Sequence, residues 1–389
     1  MKIIVNRNKL YQAALHAQCY TKSNGFPIYK NMLKLVVDGS HLTVSGSDGL
    51  MFKTEQIDLC QKCKDDPRTF CLNSIKFIKA IKSLSDQPLE LLIEEYQITV
   101  HHSDGYFRLP VFFEDQLPEP RTLTDENIMR LHTEAPGLRS QLSKVVYATA
   151  DDELRPVMCG ILMEIENNSL VYVASDGHIL VRLIKKCQED NGFISSFILP
   201  HDAVNALLKI LPPTGYCELY FQNPVGSNKR PMCKAVINDT TSILFECIDG
   251  RYPNYKNVIP TDFTHSFTVD RRHLLKILDR ISLFAPNSRE IKIQMLADGN
   301  IELKSRNIDE DSMSAEKISY SVIHKTSSMC DRIYVNVKLL IKLLRNINGE
   351  LVQFNLTDQN RAFTICPVPG SDVEDLTALL MPIYNDEDY

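Results

Sequence analysis

One order of elements occurs three times along the 389-residue chain, and this repeat constrains the fold more than any other feature. Each copy opens with a short strand that runs into a helix, continues through strands to a second helix, and closes on further strands. The openings are Ile3-Ile4-Val5 with a helix over 9–18, Met129 to Thr133 with a helix over 137–147, and Ser266 to Val269 with a helix over 271–284. The second helices are expected at 73–84, 201–211 and 336–346, each behind a short strand (69–72, 197–199, 333–335). Hairpin signals recur at matching places, among them Asp38-Gly39, Asn167-Asn168 and Asp298-Gly299-Asn300 between alternating strands. Ser47-Asp48-Gly49 and Ser175-Asp176-Gly177 lie 128 residues apart. A repeat of that length is a whole domain, not a solenoid unit of about 20–50 residues. The class is therefore α+β, with domains expected at 1–121, 122–261 and 262–389. Polar, proline-containing stretches at Pro118-Glu119-Pro120 and Pro260-Thr261-Asp262 mark the boundaries.

Charge is distributed unevenly over these elements. The chain carries a net charge of −6, which spread uniformly would repel nucleic acid. The six helical segments nevertheless hold Arg7, Lys9, Lys76, Lys79, Lys82, Arg139, Lys144, Lys209, Arg271, Arg272, Lys276, Arg280, Lys338, Lys342 and Arg345, against only Asp202, Asp270 and Asp279. Lys76, Lys79 and Lys82 repeat every third residue, and Lys338, Lys342 and Arg345 step by four and three. Each set shares a helix face opposite an apolar one (Ile75, Ile78, Ile81; Leu340, Leu343, Leu344). A basic solvated face is ordinary on one helix. Five basic helices of six in an acidic chain point to a shared positive surface for phosphates, hence for duplex DNA without sequence readout.

The excluded classes follow from absent chemistry. No GxxxxGK[ST], GxGxxG, HExxH or GxSxG occurs, so no enzyme is expected and no cofactor. Ser175, Asp176 and His178 are triad residue types, but neighbours on one tight turn do not converge as a triad must. Cys60-Gln61-Lys62-Cys63 is a lone CxxC without a second pair, so no metal is expected. Eleven cysteines without an export signal read as reduced thiols. No apolar run is long enough to span a bilayer, so a cytoplasmic protein with no membrane partner is expected.

Four segments, in order, resemble one family. Glu153-Leu154-Arg155-Pro156-Val157-Met158-Cys159-Gly160, Ala174-Ser175-Asp176-Gly177-His178-Ile179-Leu180, Asp249-Gly250-Arg251-Tyr252-Pro253-Asn254-Tyr255 with Val258-Ile259-Pro260, and Leu379-Leu380-Met381-Pro382-Ile383 are similar to motifs of the bacterial beta sliding clamp, the DNA polymerase III beta subunit. The resemblance covers the whole chain. It implies the DNA-clamp fold: three domains, each with two helices on antiparallel sheets. Two chains would close head to tail into a homodimeric ring around double-stranded DNA, the first domain of one meeting the third of the other. It also implies a pocket for short peptides of the replicative polymerase subunit, the clamp loader, other polymerases and repair factors. Residue by residue, that pocket maps to Arg155, Met158, Ser175, Gly177, His178, Leu180, Pro253, Val258, Leu379, Leu380, Met381, Pro382 and Ile383. Ile179 stands where the family usually has Arg, Asn257 where Arg is common, and Leu339 near a position often Tyr. These departures make peptide preference the least transferable expectation. An acidic tail, 385–389, follows the last motif. The competing reading is a DNA-independent repeat scaffold with a peptide groove, separated from the clamp by whether the basic helix faces share a surface.

Overall fold

A computed structural model describes the chain except residues 19–30, 113–122, 124–126, 153, 188–189, 191, 224–229, 288, 327–330, 369–373 and 385–389. The boundary stretch Pro118-Glu119-Pro120, Glu153 of the first motif and the acidic tail lie outside the described residues.

The repeat is evident element by element. The first copy runs β1 (Lys2–Asn6), α1 (Arg7–Gln18), β2 (Met32–Asp38), β3 (His41–Ser47), β4 (Met51–Asp58), β5 (Arg68–Asn73), α2 (Ser74–Lys82), β6 (Pro88–Ile93), β7 (Gln97–His102) and β8 (Gly105–Pro110). The second runs β9 (Ile128–Glu134), α3 (Ala135–Ser143), β10 (Gly160–Glu166), β11 (Ser169–Ser175), β12 (Ile179–Lys186), β13 (Ser195–Pro200), α4 (His201–Ile210), β14 (Tyr216–Gln222), β15 (Met232–Ile237) and β16 (Thr241–Glu246). The third runs β17 (His265–Asp270), α5 (Arg271–Ile281), β18 (Glu290–Met295), β19 (Asn300–Asn307), β20 (Ser312–Ser319), an added β21 (Ser321–Lys325), β22 (Arg332–Asn336), α6 (Val337–Asn346), β23 (Leu351–Leu356), β24 (Phe363–Val368) and β25 (Glu374–Leu380).

Strand passes directly into helix because the last strand residue is the helix cap. Asn73 accepts from the amides of Ile75 and Lys76 at 3.1 and 3.3 Å, and Asn336 from Lys338 and Leu339 at 3.0 and 3.3 Å. Asp270 accepts from His273 at 2.6 Å, and Asn6 from Lys9 at 3.1 Å. Each side chain satisfies amides that have no partner within the helix, about 1 kcal/mol apiece.

Packing follows the sequence periods. In α5, Leu274, Ile277, Leu278 and Ile281 are buried; in α2, Phe77, Ile78 and Ile81. Each such side chain contributes about 1.5–3 kcal/mol. In α1 the buried face is small, Ala13, Ala14 and Ala17 around Leu10. It lies close on β3 because position 46 is glycine: a Cβ there would stand 2.2 Å from the Ala17 carbonyl oxygen.

By contacts the chain forms two compact units, Met1–Ser140 with Asp202–Asp249, and Gln141–His201 with Gly250–Tyr389. The division falls within the second repeat because strands pair across repeat boundaries. In the first unit β4 pairs antiparallel with β16, from Thr241↔Glu55 to Phe245↔Met51, making an eight-stranded sheet β5-β2-β3-β4-β16-β15-β14-β9. In the second, β12 pairs with β25, from Ile179↔Leu380 to Lys185↔Glu374, within a nine-stranded sheet β13-β10-β11-β12-β25-β24-β23-β17-β21. Each unit also holds a four-stranded sheet, β1-β6-β7-β8 and β20-β19-β18-β22 respectively. Both joints thus use the same rule. The third strand after a repeat's first helix pairs with the last strand of the next repeat. By this rule two of the sheets' edge strands are left over among the described residues: β20, the third strand after α5, and β8, the last strand of the first repeat.

Candidate functional site

All six helices form, the five basic ones among them. On α2, Lys76, Lys79 and Lys82 are exposed opposite the buried Phe77, Ile78 and Ile81, with Ile75 half-buried. On α6, Lys338 and Arg345 are exposed and Lys342 half-buried over Leu340, Leu343 and Leu344. Lys209, Arg272 and Lys276 are likewise exposed. Lys76, Lys79, Lys82, Lys209, Arg272, Lys276, Lys338 and Lys342 make no ion pair among the described residues.

The remaining cations are engaged. Lys9 stands 3.6 Å from Asp58 and Arg345 2.8 Å from Asp279, both exposed pairs of about 0–1 kcal/mol that a phosphate can displace. Arg280 donates Nε to Glu316 Oε1 at 2.9 Å, which holds the Glu316 carboxyl below its ordinary range. Lys144 lies just past α3, mostly covered, and binds Glu374 Oε2 at 2.6 Å; Gln141 donates to the other oxygen at 3.4 Å and accepts from Tyr172 at 3.1 Å. Arg7, Arg139 and Arg271 donate to main-chain carbonyls near the ends of α2, α4 and α6. Sequence periodicity placed these cations on helices but did not disclose their partners, which come from distant segments.

The motif residues of the second unit converge. Arg155 Nε bonds Asp152 Oδ2 at 2.9 Å, and this bond is the main reason the Asp152 carboxyl is held low. The Ser175–Ile179 segment is a closed turn. Ser175 Oγ donates to the Ile179 carbonyl at 2.8 Å, and Asp176 Oδ1 accepts from the amides of His178 and Ile179, each at 2.8 Å. The Ser175 and Asp176 side chains are thereby explained as turn chemistry, to which His178 contributes its backbone amide. Gly177 has φ +92°, and a Cβ there would meet Arg155 Nη1 at 3.0 Å. Across the joint, the Met381 amide bonds the His178 carbonyl at 2.9 Å and Leu180 faces Leu379. The Ile383 amide reaches the Tyr334 carbonyl at 2.7 Å. Pro253 and Val258 flank a 3-10 turn, Tyr255–Asn257, whose Tyr255 hydroxyl donates to Glu164 at 2.5 Å. The apolar residues divide into two sets. Leu180, Leu379 and Leu380 are core side chains, and Met158 is also buried. Val258 and Met381 are 47% and 37% exposed, and Pro382 and Ile383 half-buried. Ile179 is buried, Leu339 half-buried and Asn257 exposed.

The first repeat carries the same turn. Gly49 and the pair Leu50 and Met51 donate to Ser47 Oγ and Asp48 Oδ1 at 2.9, 2.8 and 2.8 Å. Cys60 and Cys63 diverge, one exposed and one buried. No cluster of three His, Cys, Asp or Glu side chains able to hold a metal occurs among the described residues.

Against known proteins, residues 1–121 match the N-terminal domain of the DNA polymerase III beta subunit, 133–254 its central domain and 256–384 its C-terminal domain. The chain belongs to the DNA polymerase III beta subunit family. Among relatives of this family, a beta sliding clamp of Halalkalibacterium halodurans is 23% identical over 94% of this chain and 96% of its own length. One of Treponema pallidum is 24% identical over 96% and 97%. The beta subunit from DNA polymerase of Streptococcus pyogenes superposes with a TM-score of 0.88 at 19% identity, over 99% of this chain and all of that one. A Pseudomonas aeruginosa sliding clamp bound to griselimycin gives 0.86 at 21% identity, over 99% and 100%. These likenesses establish the sliding-clamp fold, so the α+β expectation of three domains with paired helices on antiparallel sheets holds.

Proposed function

We propose that this chain is a DNA sliding clamp: two copies close head to tail around double-stranded DNA and hold a replicative polymerase to it. The observation that carries the reading is the joint rule. Each repeat offers one edge strand to the next, and the two strands left over, β8 and β20, are the pair that a second copy would satisfy by the same rule. Such heterologous contacts close when the rotation allows it. Exposed apolar side chains at both edges, Tyr106 on β8 and Met313 on β20, support it. The first domain, 1–121, would meet the partner's third, 262–389, and 122–261 would lie between them.

The basic helix faces would line the hole. Phosphate contacts carry no sequence information and have many equivalent registers, so the ring slides. The cations with no ionic partner are the first candidates. The protein performs no catalysis of its own, works in the cytoplasm, and depends on a separate loader for ATP-driven opening. The second unit's pocket, from Arg155 through Ile383, would dock short peptides of the polymerase, the loader, other polymerases and repair factors. Val258 and Met381 supply its accessible apolar surface, with Leu180, Leu379 and Leu380 as its floor. A few side chains at about 1.5–3 kcal/mol each, less association costs, give exchangeable binding.

The test is topological. Protein loaded by its cognate loader onto nicked circular DNA is expected to stay bound in high salt and to be lost on linearisation. Equal loss from both forms overturns the reading.

A further inference from the structure

In three repeats an arginine of the first helix reaches the carbonyl end of the second. Arg7, the first residue of α1, donates Nε to the Ile81 carbonyl at 2.8 Å and Nη2 to the Lys82 carbonyl at 2.5 Å. Its remaining nitrogen donates to Asn8 at 2.7 Å, and the guanidinium lies 4.8 Å from the Tyr11 ring centre. Arg271, the first residue of α5, donates Nε to Gly349 at 2.7 Å and Nη1 to Leu344 at 3.0 Å. Arg139 of α3 donates Nη1 to Leu211 at 3.3 Å, one residue beyond α4. The last carbonyls of a helix have no partner within it and carry the negative end of its dipole. A planar guanidinium can donate to two of them at once, whereas an ammonium is a single point charge.

We infer that Arg7, Arg139 and Arg271 are positioning residues that staple the two helices of each repeat, and that they are not phosphate contacts. A guanidinium with all three nitrogens engaged, as in Arg7, cannot turn to DNA without releasing the end of α2. The staples fix the first helix against the second, and with it the spacing between cations such as Lys276 and Lys338. The nucleic-acid half of this inference rests on the clamp reading; the staple itself does not.

The test uses full-length protein and two readouts. One is the salt dependence of binding to a short labelled duplex with open ends, which flattens by about 0.9 in log–log slope for each phosphate contact removed. The other is amide hydrogen exchange in the last turn of α6, residues 343–346. Arg271→Lys keeps the charge and loses the fork. It is expected to leave the slope unchanged while protection of that turn falls about tenfold. Arg271→Gln is expected to leave the slope unchanged as well. Lys338→Gln is expected to flatten the slope and leave protection intact. Wild-type protection in Arg271→Lys, or an Arg271→Gln slope that flattens as Lys338→Gln does, overturns the inference. If no lysine substitution moves the slope, the DNA reading fails, and hydrogen exchange still decides the staple.

Discussion

Replacing Ala315 by proline separates ring closure from folding, because the hydrogen-bond phase of β20 is fixed by its neighbours. The Tyr320 amide bonds the Gly299 carbonyl, so the even-numbered residues of β20 bond β19. The amides of Met313, Ala315, Lys317 and Ser319 therefore point to the open edge. On β8 the Val111 amide bonds the Tyr96 carbonyl, which puts the odd-numbered residues against β7 and leaves the Tyr106 and Arg108 amides outward. Pro110 offers a carbonyl only. A joint between these edges can form about five backbone hydrogen bonds, at a net of about 1 kcal/mol each. Ala315→Pro deletes one and leaves a partner carbonyl unpaired, about 2 kcal/mol per joint. With two joints the ring loses about 4 kcal/mol, roughly a thousandfold in dimer Kd. The subunit itself is spared, since proline is tolerated where its missing amide faces outward on an edge. Ser314→Pro breaks the β19 ladder instead and is expected to lower the unfolding midpoint. Sedimentation equilibrium and thermal unfolding of both variants provide the measurement. An Ala315→Pro dimer within tenfold of the parent Kd, or two variants that behave alike, refutes the assigned edge.

Three further outcomes follow from single sites. Glu374→Ala leaves Lys144 and Gln141 without their shared acceptor. With both ionic partners about one-fifth exposed (19% and 21%), the cost is about 2 kcal/mol in denaturant unfolding, short of a fully buried pair, and a loss under about 0.5 contradicts the lock. His265 is fully buried with no hydrogen-bond partner for either ring nitrogen among the described residues, and burial, then Lys325 and His324, lowers its pKa. The unfolded imidazole takes up a proton near pH 6.5 while the folded one resists, so stability falls as pH drops through that value. His265→Phe is expected to lose less of its melting temperature between pH 7.5 and 5.5 than the parent; equal losses count against the assignment. Met381→Asp puts a charge in the accessible apolar surface, and binding of a labelled peptide from the cognate polymerase is expected to weaken at least tenfold by fluorescence anisotropy. Unchanged affinity there removes Met381 from the pocket.

Much of the architecture was legible in the chain. All six helices stand within a few residues of their expected places, because capping residues and apolar spacing are local signals: Asn73, Asp270 and Asn336 each end a strand and begin a helix. The hairpins followed from their turn residues, and the Ser-Asp-Gly turns of two repeats share one hydrogen-bond pattern. The motif segments of the second unit were named in order. Their division into buried Leu180, Leu379 and Leu380 and exposed Val258 and Met381 was not, since a run of apolar residues does not say which of them a neighbouring strand will cover. Fifteen helix cations were counted alike, although several spend their donors on carbonyls or carboxylates more than sixty residues away, as Arg7 does on Ile81.

What the sequence alone determined was the repeat, the capped basic helices and the set of side chains available for a partner site. The tertiary structure decided which strands meet: β4 with β16, β12 with β25, and, among the described residues, β8 with no strand but β7 and β20 with none but β19. The reason is physical. Alternation along a strand records which face is buried, but pairing between edges is made by backbone amides and carbonyls that nearly every residue carries, so only the folded chain selects the neighbour.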